Sequence, residues 1–318
     1  MKVERIIPVK VSSQDAVIYA LRAAKKYCPD TEAVAAKYIG GGSFGRAVEV
    51  RFADGDEKIF KFLCAGGMLE KEVYDLRLLK ENCTVKMPSV IFASEKCGGI
   101  PVDFYCMEKI EGRPAFYDRK LFFGGKRKRA EFAGEVIEGL SSLHSRTSPK
   151  FGDTLHPVFT SWRECYGEFA EAVLKEAEKL YAEGELGKKI ISAMRAAWAL
   201  YDEIFSIEPE QAVLIHGDLN VLNIMVDGAH RVSGFIDPLN SMYADREYDL
   251  FQFRNLTGKR FRLAETYFEN YGASDMSEVK LAFYGLWNEV YCFVRSGVLI
   301  PLIMNPLVKN MKRRLKLL

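Results

Sequence analysis

Leu214-Ile215-His216-Gly217-Asp218-Leu219-Asn220-Val221-Leu222-Asn223-Ile224, followed by Phe235-Ile236-Asp237-Pro238, decides how the rest of this chain is read. In the first stretch, residues able to take a proton or bind a metal sit in a short loop between apolar runs. In the second, an acid ends an apolar strand just after a hairpin. A carboxylate at the mouth of such a loop can accept a hydroxyl proton. An amide oxygen five residues on can bind a hard cation, and Mg²⁺ prefers one or two carboxylates plus substrate phosphates. Asp218 is thus the candidate catalytic residue, and Asn223 with Asp237 the candidate metal pair.

Two further groups lie upstream. Gly40-Gly41-Gly42-Ser43-Phe44-Gly45 satisfies G-x-G-x-x-G. A dinucleotide fold needs that pattern to open a helix, and a Walker loop needs Lys and Ser or Thr after its last glycine. Here Arg46 and Ala47 follow, and the chain continues as a strand, AVEVRF. A glycine loop between two strands suits a flap whose amides cover a triphosphate; an ordinary glycine hairpin reads equally well from this motif alone. Lys61 stands inside Ile59-Phe60-Lys61-Phe62-Leu63, where a cation is costly to bury unless an anion meets it. Alternation puts Ile59, Lys61 and Leu63 on one face. Lys61 can then reach phosphates while Ile59 packs against a base, and Glu72 in the following helix can hold the ammonium. A lysine on an exposed sheet face fits the strand equally well when it is taken alone.

Around these motifs, helical spacing marks 14–27 and 68–80, and strand patterns mark 33–39, 47–52, 58–63, 89–94 and 102–107. Asp54-Gly55-Asp56 is a hairpin signal between the second and third strands. After Gly112-Arg113-Pro114 the period changes to 3.6. Helices are predicted from about 126 to 143, over 161–182, 190–205, 246–254, 259–271 and 276–295, with two short strands at 223–226 and 232–236. A sheet domain followed by a larger helical one, hinged near 108–112, is the simplest organisation.

The 318 residues have room for two domains, and a net charge of +2 gives no reason to expect nucleic acid. Seven scattered cysteines form no CxxC pair and no metal-ligand cluster, which fits a reducing compartment. The N-terminus MKVERIIPVK carries charges where a signal peptide needs an apolar run. The longest apolar stretch, 297–308, contains Pro301 and Pro306 and falls short of the roughly 20 residues that a bilayer requires. A cytoplasmic protein with neither a membrane nor a nucleic-acid partner is expected.

At these residues the chain resembles the aminoglycoside phosphotransferase family, within the protein-kinase-like fold, with the fructosamine kinases a near neighbour. HGDLNVLN followed by IDP is similar to that family's catalytic loop and metal-binding segment. IGGGSFGRA resembles its glycine loop, KIFKFL its lysine strand, Met107 to Gly112 its hinge, Leu143-His144-Ser145 a helix end, and DREYDL (245–250) the segment after the metal site. The resemblance implies a two-lobed α+β fold. A small antiparallel β lobe with one helix, over 1–108, would bind nucleotide. A larger, mainly α-helical lobe, over 109–318, would carry catalysis and the acceptor.

It also implies ATP- or GTP-dependent, Mg²⁺-dependent phosphorylation of a small-molecule hydroxyl, on an amino sugar, an amino alcohol or a sugar-like compound. Asp218 would be the base, and Asn223 and Asp237 the metal ligands. Lys61 would hold the phosphates and Glu72 would hold Lys61. Gly40, Gly42, Ser43, Phe44 and Gly45 would cover the nucleotide, with Ile59, Met107, Glu108 and Ile110 around its base. His216 and Asp249 would brace the loop, and His144 would be a core or helix-end histidine. Asn220 departs from the family pattern, which usually has His there, so no cation meets the transferred phosphate at that position. The basic tail over 309–316 is a poor wall for a polycationic antibiotic. A protein kinase is disfavoured because only about eleven residues separate Asp237 from Asp249, too few for a peptide-docking loop. A nucleotide-binding pseudokinase scaffold is disfavoured by the presence together of Lys61, Glu72, Asp218, Asn223 and Asp237. The acceptor is expected between the helices around 155–180 and those after 250, with Trp162, Tyr166, Tyr243, Trp287 and Tyr291 as stacking candidates.

Overall fold

Ser12 and Asp15 start the first helix by capping each other: the Ser12 hydroxyl accepts from the Asp15 amide, and the Asp15 carboxylate accepts from the Ser12 amide. In this computed structural model, which describes residues 3–255 and 258–318, that helix is α1 (Ser13–Tyr27). Then follow β1 (Ala33–Gly40), β2 (Gly45–Phe52), β3 (Glu57–Leu63), α2 (Leu69–Asn82), β4 (Val90–Ser94) and β5 (Asp103–Glu108). The five strands form one antiparallel sheet in the order β1-β2-β3-β5-β4. Strand alternation separates its faces. Phe60, Phe62, Phe104 and Cys106 pack with Ala16, Ala20 and Ala23 of α1. Leu63 and Tyr105 pack on the other face with Val73 and Leu76 of α2. This lobe therefore carries α1 in addition to the single helix that the resemblance implies, as the spacing over 14–27 predicts.

The larger lobe opens with β6 (Arg113–Pro114), α3 (Arg119–Phe122), α4 (Lys126–His144), β7 (Thr147–Ser148), β8 (Phe151–Asp153) and β9 (Pro157–Phe159). It continues through α5 (Trp162–Ala182), α6 (Lys188–Trp198), α7 (Tyr201–Ile204), β10 (Ala212–Leu214), β11 (Ile224–Val226), β12 (Val232–Phe235) and β13 (Met242–Ala244). It closes with α8 (Glu247–Leu250), α9 (Gly258–Phe261), α10 (Leu263–Tyr271), α11 (Ser277–Ser296) and α12 (Pro301–Arg314). The helix expected over 190–205 is broken after Trp198, and a further helix, α12, begins at Pro301, beyond the last one expected from the spacing. Proline is suited to a first helical position, where its missing N–H has no partner to lose.

One large core joins α4, α5, α6, α10 and α11, and Val3 at the start of the chain is part of it. Trp162, Tyr166, Tyr243, Trp287 and Tyr291 are all buried in this core, so none is free to stack on an acceptor. Trp162 donates its ring N–H to Tyr284 Oη at 2.8 Å, and Trp287 donates to the Ala170 carbonyl at 2.9 Å. The helices that were expected to flank the acceptor pack on each other through these rings. No helix among the described residues is long and apolar enough to cross a membrane. All seven cysteines are free thiols.

Candidate active site

β3 and α2 bring Lys61 and Glu72 together, with Nζ 2.9 Å from Glu72 Oε2. Across the cleft, Asp237 Oδ1 lies 2.7 Å from the same Nζ. Tyr105 donates its hydroxyl to Glu72 Oε2 at 3.0 Å, fixing the second acid. Burial opposes the charge on Lys61. The Asp237, Tyr105 and Glu72 groups outweigh it and hold the ammonium pKa well above its usual value. Lys61 in turn holds the Asp237 carboxyl below its ordinary range. Helix α2 is tied to the other lobe by Lys71, whose Nζ donates to Thr154 Oγ1 and to the Ser241 carbonyl, each at 2.8 Å. Arg46, where a Walker loop would place lysine, grips the glycine loop instead. It donates to the Gly42 and Gly45 carbonyls at 2.9 and 2.7 Å.

Ile59 lies on the same strand face as Lys61 and pairs with Met107. Glu108 accepts the Ser89 amide on its carboxylate at 3.1 Å and donates its own amide to the Ser89 carbonyl at 2.9 Å. The Ile110 side chain is buried and sits where a side chain on Gly234 would otherwise go. Phe44, in the glycine loop, lies beneath the Arg295 guanidinium, 5.3 Å from the ring centre.

The loop that carries Asp218 is held from below by Asp249. Its carboxylate accepts the His216 and Gly217 amides at 2.9 and 2.7 Å and contacts His144 Nε2 at 3.2 Å. Gly217 adopts φ +82°, and a side chain there would meet the Leu239 carbonyl, so the turn admits only glycine. His216 is fully buried, its Nδ1 accepts from the Asp218 amide at 3.4 Å, and burial lowers its pKa to about 4. It is a neutral brace. His144 bridges Asp249 and Tyr267 inside the core, as expected.

Asp218 leaves this loop with its carboxylate held by three amides. Gln252 Nε2 donates to Oδ1 at 2.6 Å, Asn220 Nδ2 to Oδ1 at 3.1 Å, and Asn223 Nδ2 to Oδ2 at 3.2 Å. Burial, followed by the nearby Asp237 charge, raises its pKa to about 7 against the opposing effect of the Asn220 and Asn223 hydrogen bonds. Asn223 and Asp237 stand at the same end of the β11–β12 hairpin, where the Ile236 amide donates to the Asn223 carbonyl at 2.9 Å. Asp237 has φ +55°, an uncommon backbone region that turns its half-exposed carboxylate into the cleft.

Gln252 was invisible to sequence reasoning: a glutamine in a helical run carries no local signal. The same holds for one face of α11. Arg295, over Phe44, is followed one turn back by Cys292 and two turns back by Glu289. Burial, then the Glu289 and Asp218 charges, push the Cys292 thiol up to about 12, so both carboxylates lie near it. Glu289 is half-buried, makes no ion pair or hydrogen bond among the described residues, and has its pKa raised by burial.

Two lobes that meet over a lysine shared by two acids, with a third carboxylate held deeper in the helical lobe, form the layout of a kinase-like phosphotransfer fold. The chain belongs to the phosphotransferase enzyme family, whose model matches residues 42–282. An aminoglycoside 3'-phosphotransferase of Streptomyces fradiae is 32% identical over 137 residues, 38% of this chain and 50% of that protein. The chain thus spans half the length of this curated relative. Among solved structures, a thermostable mutant of aminoglycoside phosphotransferase APH(4)-Ia is similar at TM-score 0.69 and 14% identity, covering 93% of this chain and 98% of that one. A proposed fructosamine-3-kinase from Thermobifida fusca YX-ER1 is similar at TM-score 0.64 and 20% identity, covering 89% and 95%. The GDP complex of aminoglycoside 2'-phosphotransferase-IIIa is similar at TM-score 0.67 and 16% identity, covering 94% and 98%. At these identities the structural likeness is one of fold.

Proposed function

We propose that this chain transfers the γ-phosphate of ATP or GTP to a hydroxyl of a small molecule, with an amine-bearing acceptor such as an amino sugar or amino alcohol favoured over a neutral sugar. Residues 1–108 then bind the nucleotide, and 109–318 carry the catalytic loop and the acceptor. The observation that carries this reading is Asp218: a carboxylate with a pKa near 7, aimed by three amides, beside the Lys61 ion pairs. Near neutral pH it can take the acceptor's proton as the hydroxyl oxygen attacks phosphorus and the bond to the leaving diphosphate breaks. Lys61, held by Glu72, meets the phosphates of the nucleotide. Asn220 brings no cation, because its amide serves the Asp218 carboxylate and its oxygen accepts the Leu222 amide at 2.8 Å.

The donor set fits Mg²⁺. Asn223 turns its amide nitrogen to Asp218, leaving its oxygen for a cation, and Asp237 engages Lys61 through Oδ1 alone. Two hard oxygen donors completed by triphosphate oxygens are what this ion accepts. Bound there, it would neutralise charge on the transferred phosphate. On the acceptor side, the Asp218 and Glu289 carboxylates both act on Cys292, against the single opposing charge of Arg295, and these two acids favour a cationic acceptor.

Thermal unfolding with ATP and GTP, each with and without Mg²⁺, tests the nucleotide site, since ligand bound to the native state raises stability. A metal-dependent rise is expected. Nucleotide consumption against panels of amino sugars, amino alcohols and neutral sugars then tests the acceptor. The absence of any metal-dependent shift at millimolar nucleotide would refute the reading.

A further inference from the structure

Away from the nucleotide cleft, a cavity of about 300 Å³ opens between α11, α12, Lys259 of α9 and residues 251–255. Its size falls at the lower end of small-molecule sites. Phe251, Leu281, Leu302 and Leu307 give it apolar walls. Four cations line it, Arg254, Lys259, Arg313 and Arg314, against the single carboxylate of Glu278. Glu278 is shared by two of them, Arg254 at 2.6 Å and Arg314, and Arg254 also pairs with Glu265, which is not part of the lining, at 2.8 Å. The Nε–H groups of both guanidiniums are buried without an acceptor among the described residues. Lys259 and Arg313 are exposed and have no acidic partner there; Arg313 donates only to Asn310 Oδ1 at 2.9 Å.

We propose that this cavity binds a small amphiphilic anion, a carboxylate or phosphate monoester with an apolar body of several carbons. The charge balance selects the head group. Four cations against the two carboxylates of Glu278 and Glu265 leave an excess of positive charge, and an added anion relieves it while giving Lys259 and Arg313 a partner. The apolar walls select the body, because each CH₂ group buried against them leaves water. A neutral hydrocarbon would leave the cations uncompensated, and a bare inorganic anion would leave the walls wet. The site also borders the catalytic centre: Asn255 lines the cavity and donates to Gln252 Oε1 at 3.0 Å, and Gln252 holds Asp218. The proposal does not depend on the phosphotransfer reading.

Isothermal titration of the full chain with octanoate, octyl phosphate and octanol tests it. At least one of the two anions should saturate a single site, and the tighter of them names the head group. Octanol should bind at least about tenfold more weakly, as charge-assisted hydrogen bonds contribute about 1.5–3 kcal/mol. The double variant Lys259→Gln/Arg313→Gln should weaken the anion about tenfold or more, and Leu302→Glu, at a position 89% exposed, should weaken it as well. Both changes lie at the exposed rim, so unfolding midpoints without ligand should stay at the parent value and confirm intact folds. Failure of both anions to saturate below about 5 mM, octanol binding as tightly as either, or undiminished binding by the double variant would each overturn the proposal.

Discussion

Asp218→Asn should remove phosphoryl transfer and, in the nucleotide-free protein, gain stability relative to the parent as pH rises. The carboxyl pKa goes from 3.8 to about 7 on folding, chiefly through burial and then through the Asp237 charge. The folded state therefore holds the proton more tightly than the unfolded chain. That stabilising contribution is complete below the unfolded pKa and is lost as pH rises through the folded one. At about 1.36 kcal/mol per pKa unit, roughly 2–3 kcal/mol disappears between about pH 5 and pH 8. The amide variant has no such loss. Its oxygen can keep the Gln252 and Asn220 hydrogen bonds, but its nitrogen then faces Asn223 Nδ2 at a 3.2 Å spacing, donor against donor. That conflict costs about 1–3 kcal/mol unless the Asn223 amide turns over. Urea unfolding of both proteins in EDTA at about pH 5 and pH 8 separates the two terms. The constant conflict shifts the variant equally at both values, while its stability relative to the parent rises by roughly 2 kcal/mol from the lower to the higher pH. A stability difference that does not change with pH would show that Asp218 is not the buried, proton-holding carboxylate on which the catalytic reading rests.

Lys61→Met should lower turnover by at least about a hundredfold and also cost about 1–3 kcal/mol in unfolding free energy, because Glu72 is left buried with only the Tyr105 hydroxyl. An unchanged turnover would refute its phosphate role. Gln252→Leu removes the shortest hydrogen bond to Asp218 and should shift the alkaline-rising limb of the rate profile to higher pH without changing nucleotide affinity. A profile that stays in place, checked by steady-state kinetics across pH, would mean that Gln252 only packs. Glu289→Gln should raise KM for an amine-bearing acceptor roughly tenfold while leaving KM for nucleotide unaltered, as measured by initial rates with each substrate varied.

Much of the site was legible because its chemistry is local. Asp218 and Asn223 lie within one turn of chain and Asp237 at the next hairpin, so spacing alone placed them together. Strand alternation put Ile59 and Lys61 on one face, and the 3.6 period put Glu72 on the helix that reaches it. Two-residue strands such as β6 and β7 left no such pattern, because a period needs several repeats to be seen. The aromatic residues misled for a different reason. A tryptophan in a helix looks alike whether it lines a cleft or fills a core, and only the packing of α5 against α11 buried Trp162 and Trp287. The sequence by itself determined which residues can take a proton, hold a phosphate or bind a cation, and in which order they come. Only the tertiary structure decided that Gln252 holds the Asp218 carboxylate, that Cys292 lies near both Asp218 and Glu289, and that α12 closes a basic cavity. Those relations join residues tens of positions apart, and no local propensity encodes a contact whose geometry depends on how whole helices pack.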